Sequence, residues 1–409
     1  MSTTSTTSAT DPALADRIRA LIAEELPSLI DLRHDLHAHP ELGYEEHRTS
    51  EVIQRELKRL GITFKAGVAG GTGVVGSMPG AASSALALRA DIDALPIEEQ
   101  NDLPYRSVHE GRMHACGHDG HTTMLVGAAR VLSRLAETHP LPNPVTLLFQ
   151  PAEEGGAGGR RMVEDGCLTG EIVGPPVRAA YGLHGWPEFP VGVVGTRVGA
   201  LMAASDRFEI HVRGVGGHAA WPHATRDPIT AAAAIVQSVQ TIVSRNVGPL
   251  DSAVVSITML QAGTAFNIIP ETVRIAGTVR TLRPETQSLI RERLGEIAES
   301  IPAAHGCSGS LDYRVGYPAT VNDPDAVATF DRIATAAVGT DRVRPVEAPV
   351  MGGEDFAYYG QKVPACFFVL GLIPEGEETM PSLHHPQFNF NDDAISTGVE
   401  LFVNLALSA

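Results

Sequence analysis

Three short, mostly apolar runs, at 85–90, 145–149 and 179–183, each give way to acidic or imidazole side chains: Asp91 and Asp93 after the first, Glu153 and Glu154 after the second, His184 after the third. Runs of this length with little alternation read as strands buried on both faces. A stretch with Met124, Ala128, Val131 and Leu135 at helical spacing separates the first two. This is the α/β pattern, a mixed and mainly parallel sheet flanked by helices. In open sheets of that kind the binding crevice lies beyond the carboxyl ends of the strands, so these side chains are expected to converge on one place.

The six residues His114-Ala115-Cys116-Gly117-His118-Asp119, with His121 just beyond, open the intervening helix and belong at the same edge. Cysteine binds Zn²⁺ as a thiolate and histidine as a neutral imidazole, so two donors separated by one glycine can reach the same ion or two adjacent ones. A site needs three or four protein ligands per ion, and the others must come from elsewhere in the chain. Taken alone, the stretch reads equally well as a helix start with a buried cysteine and capping histidines.

The bulk properties narrow the classes. A chain of 409 residues is long enough for two domains. Its 31 basic and 48 acidic residues leave a formal charge of −17, which argues against nucleic acid or an anionic membrane as partner. The four cysteines, Cys116, Cys167, Cys307 and Cys366, are too scattered for a disulfide framework, and a reducing cytoplasm fits them best. Residues 1–10, a Ser/Thr/Ala run, read as a disordered tail and not as a signal peptide. No window approaches the apolar length of a membrane span.

Asp11-Pro12 has the form of a cap and first-turn proline for a helix carrying Leu14, Ile18, Leu21 and Ile22; Ile53, Leu57 and Leu60 mark a second helix, ended by Gly61. From 200 to 316 the pattern is a separate unit. Phe208, Ile210 and Val212 alternate as a strand, and a helix follows with Ala232, Ile235, Val239 and Ile242 inward. Strands at about 253–260 and 271–281 come next, then a helix with Ile290, Leu294, Ile297 and Ile301, then a strand near 309–316. The order β-α-β-β-α-β is the split βαβ, ferredoxin-like arrangement, one sheet covered on one face by two helices. Residues 317–409 return to α/β writing, with a strand at Ala365 to Leu370, the loop Leu383-His384-His385-Pro386 and a closing helix. The larger domain is therefore expected to comprise 11–199 and 317–409, with 200–316 inserted.

Six motifs stand in order: Arg89-Ala90-Asp91-Ile92-Asp93-Ala94-Leu95-Pro96, His114-Ala115-Cys116-Gly117-His118-Asp119-Gly120-His121, Gln150-Pro151-Ala152-Glu153-Glu154-Gly155-Gly156, Gly182-Leu183-His184, Gly217-His218-Ala219-Ala220 and Met351-Gly352-Gly353-Glu354-Asp355-Phe356. Together they resemble the hippurate hydrolase and auxin-conjugate amidohydrolase branch of the aminoacylase-type dinuclear metallopeptidases, over residues 28–405. The resemblance implies two divalent ions per subunit, Zn²⁺ foremost with Mn²⁺ or Co²⁺ also accommodated by such donors. It implies Cys116 as the bridging ligand, His118 and His184 as terminal ligands, Glu154 as the carboxylate ligand and His384 as the ligand from the C-terminal loop. Glu153 would be the base. The residues themselves do not say which of the two adjacent glutamates binds metal and which moves protons. The resemblance further implies a homodimer or higher homo-oligomer in which His218, from the inserted dimerisation and lid domain, stabilises the oxyanion over the partner's site, while Asn267 and Arg280 bind the substrate carboxylate. Asp91 and Asp93 are read as holding ligand imidazoles in the right tautomer.

The activity so implied is hydrolysis of small N-acyl amino acids, acetyl, aroyl or indoleacetyl in type, to a carboxylic acid and a free amino acid. A dipeptidase or carboxypeptidase of the same family is the nearest alternative, since a peptide's last residue presents the same amide and carboxylate. A thiol hydrolase using Cys116 leaves Glu153, Glu154 and His184 unexplained. A metal-loaded binding protein would have no use for Glu153. His34, His37 and His39 read as mainly structural, His114 and His121 as supports of the ligand turn, and His223 as a residue near the insertion's edge that could touch substrate. His385 follows His384, and either could coordinate.

Overall fold

The structure is a computed structural model and describes residues 12–408. The expected tail at 1–10 and the cap at Asp11 lie outside the described residues. The chain divides into two compact units: the larger runs to Leu201 and resumes at Val321–Glu347 and Asp355 onward, and the smaller comprises Met202–Thr320 and Ala348–Glu354.

In the larger unit the strands Ala85–Asp91, Val145–Gln150 and Ala365–Ile373 are buried along their whole length. They occupy the middle of an eight-stranded sheet ordered Thr63–Val68, Gly73–Met78, Val145–Gln150, Ala85–Asp91, Val177–Pro190, Ala365–Ile373, Val194–Thr196, Val343–Pro345. The four central strands are mutually parallel, and antiparallel pairing is confined to their flanks. The sheet is mixed and mainly parallel. Helices Pro12–Ala38, His118–Ala136 and Ala394–Ala406 share one core with it, including Leu29, Met124, Ala128, Val131, Val399 and Phe402. Gly127 allows their close approach: a Cβ there would lie 2.7 Å from Val399 and 2.8 Å from Leu29.

One strand is longer than its apolar run. Val177–Pro190 continues through His184, which pairs with Val369 of the neighbouring strand. His184 therefore lies within the strand and not after it, because the ladder with Ala365–Ile373 continues past the last aliphatic residue.

The smaller unit has an antiparallel sheet ordered Ala253–Ala262, Thr272–Thr281, Ala204–Arg213, Ser308–Tyr317. Along Ala204–Arg213 burial alternates, and Phe208, Ile210 and Val212 join Ile235, Val239, Ile275, Ile290 and Leu294 in one core. Its helices are Pro228–Thr241, capped by the Asp227 carboxylate on Ile229 N–H, and Pro284–Ala304. The segment Ala348–Glu354 also belongs here, outside the interval 200–316. Ala203 N–H donates to both Val350 O and Gly352 O, a long-range backbone pairing that no local pattern announces.

A buried polar network lies beneath the start of helix His118–Ala136. The Asp119 carboxylate accepts from Arg33 at 3.1 Å and bonds His37 Nδ1 at 2.9 Å, while His37 Nε2 reaches Glu99 at 3.2 Å. Arg33 and His34 also meet Asp392. Burial alone would strip His37 of its proton, but its bonds to Asp119 and Glu99 outweigh that and carry its pKa from 6.5 to about 9. A raised pKa means the stabilisation is complete below pH 6.5 and is lost as pH rises towards 9. In urea unfolding of metal-stripped protein, the fall in stability between pH 6.5 and 9 is expected to be larger by up to about 3 kcal/mol in the parent than in His37→Gln. Equal falls in the two proteins would contradict the assignment.

Candidate metal centre

The turn carrying Cys116 and His118 owes its shape to Gly117, whose φ of 86° is left-handed and which stands immediately before helix His118–Ala136. A residue with a Cβ is disfavoured there, and that Cβ would press on Phe390 at 3.0 Å. The turn sets Cys116 and His118 on either side of the glycine. His118 Nδ1 lies 2.9 Å from Asp93 O and 3.1 Å from Asp93 Oδ1. Its Nε2 is buried with no hydrogen-bond partner among the described residues. His184 Nδ1 is 2.7 Å from Gly185 O, which leaves its Nε2 facing Cys116 Sγ at 3.3 Å. Both imidazoles thus present the nitrogen that a backbone or carboxylate partner has left available.

From the loop after strand Val145–Gln150, Glu154 donates its N–H to Asp93 Oδ2 at 3.0 Å, and its Oε1 lies 3.1 Å from His384 Nε2. His384 comes from the C-terminal loop with a left-handed φ of 65°, its N–H bonded to Ala115 O at 2.8 Å. Neighbouring Glu153 accepts from Asp355 N–H at 3.2 Å. The donor atoms fall into overlapping groups, each within 4.8 Å: Cys116, His118 and His184; Cys116, Glu154 and His384; His118, Glu153 and Glu154; Asp91, His118 and His121. Cys116 belongs to two of them.

The electrostatics call for a cation. Burial and the carboxylates of Glu154, Glu153 and Asp91 push the Cys116 thiol well above its ordinary value. Burial would drive the proton from His118, yet Asp91 and Asp93 raise its pKa to about 10. Burial, with His121 beside it, takes His184 down to about 3. Burial acts to raise the Glu154 carboxyl, but His384 and His118 hold it below its ordinary value. Four carboxylates and a thiol crowd one small volume with too little fixed positive charge, and the donor set of sulfur, imidazole and carboxylate is one that divalent transition ions accept. The residues fit such ions.

The supporting layer differs in part from expectation. Asp93 holds His118, whereas Asp91 binds His121 Nδ1 at 2.7 Å and Arg89 at 2.7 Å and lies 3.7 Å from the outward nitrogen of His118. His121 in turn accepts from Gly185 N–H, next to His184, at 2.8 Å. His114 is buried, with neither ring nitrogen bonded among the described residues. His385 is exposed and its ring accepts from Gln387 N–H in its own loop, so His384 is the histidine beside Glu154. His218, Asn267 and Arg280 all lie in the smaller unit. His218 and Asn267 are neighbours, since Ile268 pairs with His218 and Asn267 O accepts from Ala219 N–H. Arg280 stands apart from them on the four-stranded sheet, half-buried between Val254 and Ser205. Sequence reasoning missed Asp355, which braces Glu153, and the Arg89 guanidinium, which binds Asp91, Gln150 and Asp355. Asp355 stands in the last of the six motifs, but nothing in its spacing shows that it meets Glu153, 202 positions earlier.

Fold and site together define a class, an α/β metallohydrolase scaffold with a thiol, imidazoles and carboxylates gathered at one edge of its sheet. Residues 87–408 match the profile of Peptidase family M20/M25/M40, and the chain belongs to that family. A protein of Bacillus subtilis (strain 168) named N-acetylcysteine deacetylase is 41% identical over 381 residues, covering 93% of this chain and 96% of that protein. IAA-amino acid hydrolase ILR1-like 2 of Arabidopsis thaliana is 40% identical over 384 residues, covering 93% and 84%. The crystal structure of a dinuclear metal binding peptidase of the M20 family from Bacillus subtilis superposes with a TM-score of 0.80 at 37% identity, covering 95% of this chain and 98% of that one.

Removing ions from such a charge-rich site exposes its like charges to one another. Chelation followed by gel filtration is expected to lower the thermal midpoint, and Zn²⁺ or Mn²⁺ at about one hundred times its dissociation constant to restore roughly 3 kcal/mol. A midpoint indifferent to chelator and to added ions would contradict the reading of the cluster.

Proposed function

We propose that this chain hydrolyses N-acyl amino acids to a carboxylic acid and a free amino acid, with two divalent ions held by Cys116, His118, Glu154, His184 and His384. The observation that carries the reading is the double membership of Cys116, whose sulfur is within reach of His118 and His184 on one side and of Glu154 and His384 on the other. Bound there, the ions supply a water of lowered pKa and polarise the amide carbonyl. Glu153, grouped with His118 and Glu154, takes the proton of the attacking water and delivers it to the leaving nitrogen. The N–H of Asp355 keeps one of its oxygens fixed for that task.

The names of the relatives, a deacetylase of an N-acetyl amino acid and a hydrolase of IAA-amino acids, share an acylated amino acid, and we assign this chain the same substrate class. A dipeptidase would need an acidic group for the substrate's ammonium, and the relatives' names favour an acylated nitrogen, which carries no such charge. The thiol-hydrolase reading is disfavoured by the state of Cys116, because a buried thiol held protonated among carboxylates is a poor nucleophile. We assign oxyanion stabilisation to His218 and carboxylate recognition to Asn267 and Arg280. A homodimer through the smaller unit is supported by the edge strand Ala253–Ala262, which exposes Val254, Met259 and Leu260, and by fully exposed Leu250 and Phe266 nearby in sequence. Free cysteines at all four positions suit the cytoplasm, and no described helix is long and apolar enough to cross a membrane.

Glu153→Gln is expected to keep its ions while losing about 10²–10⁴-fold in turnover of N-acetyl and N-benzoyl amino acids; a near-normal rate would remove the base assignment. His218→Ala is expected to lose about 10²–10³-fold in kcat, and mixing it with Glu153→Gln to regain activity if the histidine works across subunits. No recovery on mixing would count against a shared site.

A further inference from the structure

The segment Glu41–Glu46 takes no part in the chemistry described above, yet it grips the loop that carries Glu153. Tyr44 has a left-handed φ of 66°, and the loop after strand Val145–Gln150 contains two more such residues, Ala152 at 51° and Ala157 at 56°. Side chains other than glycine hold this conformation only where their surroundings enforce it. The enforcing contacts are present. Fully buried Glu46 accepts the Ala152 N–H on Oε1 at 2.8 Å and the Thr72 hydroxyl on Oε2 at 2.7 Å. Tyr44 OH donates to Gly156 O at 2.5 Å, and the Arg161 guanidinium covers the Tyr44 ring at 4.2 Å. A Cβ on Gly43 would lie 3.0 Å from Ala152 Cβ, and one on Gly156 2.6 Å from it. The same segment accepts Ala94 N–H on Glu41 O at 2.8 Å, and the adjacent Asp93 fixes Glu154 N–H. Glu153 thus sits between two backbone N–H groups, on Ala152 and Glu154, each held by a buried carboxylate.

We propose that Glu46 is a positioning residue for the general base: its carboxylate holds Ala152 in the left-handed turn from which Glu153 is presented, and Tyr44 closes the far end of the loop at Gly156. The inference rests on the reading of Glu153 as the base. Burial raises the Glu46 carboxyl to about 7 against the Thr72 bond, and Oε1 accepts from Ala152 in either protonation state, so a neutral amide oxygen is a fair substitute.

The test compares Glu46→Ala, Glu46→Gln and Tyr44→Phe in the full-length, metal-loaded protein. Displacing a reacting group by about 1 Å costs on the order of 10²-fold. Glu46→Ala is therefore expected to lose about 10- to 100-fold in kcat, with KM within about threefold and ion content unchanged. Glu46→Gln is expected to recover to within about fivefold of the parent, and Tyr44→Phe to lose several-fold in kcat alone. Adding Glu46→Ala to Glu153→Gln should cost nothing further, because the positioned group is already gone. A normal kcat in Glu46→Ala, an equal loss of bound ions, or a Gln variant as poor as the Ala variant overturns the proposal. If Glu46→Ala does not fold, a normal kcat in Tyr44→Phe overturns it. The underlying reading fails separately, when Glu153→Gln itself retains activity.

Discussion

Buried like charge is the constraint on which the larger unit turns. Asp91, Asp93 and Glu153 are withdrawn from water, Glu154 is half withdrawn, and a thiol lies among them. Ionised groups in such a place are retained only when paired, bonded or bound to a cation. Arg89 and the histidines supply part of that compensation, and the outward nitrogens of His118 and His184 are aimed at the part left over. On the proposed reading, a pair of divalent ions would complete the balance. The same ions would convert a thiol and a set of imidazoles, each poorly disposed towards catalysis alone, into a device for readying water.

The surrounding hydrogen bonds make sense as a means of removing choice. Asp93 engages one nitrogen of His118 and the N–H of Glu154, so one carboxylate orients two donors at once. His121 spans Asp91 and Gly185 and so couples strand Ala85–Asp91 to the strand bearing His184. Ala115 O holds the backbone of His384, which ties the C-terminal loop to the turn carrying Cys116. Beneath them, Asp119 anchors the helix start to Arg33 and His37 of the first helix. His118, Glu154 and His384 are thereby fixed by elements other than their own, an arrangement that a parallel sheet favours because its strand ends meet at one edge.

Much of this was legible in the chain. Mostly apolar runs marked the central strands, since a strand covered on both faces has no polar side to show, and alternation marked Ala204–Arg213, which has one. The side chains after those runs were correctly expected to meet, because strand ends in an α/β sheet share an edge. What escaped is long-range. The extension of Val177–Pro190 through His184 depends on its neighbour's ladder, and the membership of Ala348–Glu354 in the smaller unit depends on backbone bonds to Ala203. The roles of Asp355 and Glu46 depend on contacts across 202 and 106 positions, where spacing carries no information. His37 looked structural, and it is: a fully buried brace under the ligand turn.

The central claim is that Cys116 gives its sulfur to two neighbouring ions. X-ray absorption at the zinc edge of the reconstituted protein measures it most directly. The account predicts a sulfur shell near about 2.3 Å together with a zinc–zinc distance of roughly 3.5–4 Å, both lost in Cys116→Ala. A shell of nitrogen and oxygen alone, with no metal neighbour, would contradict it.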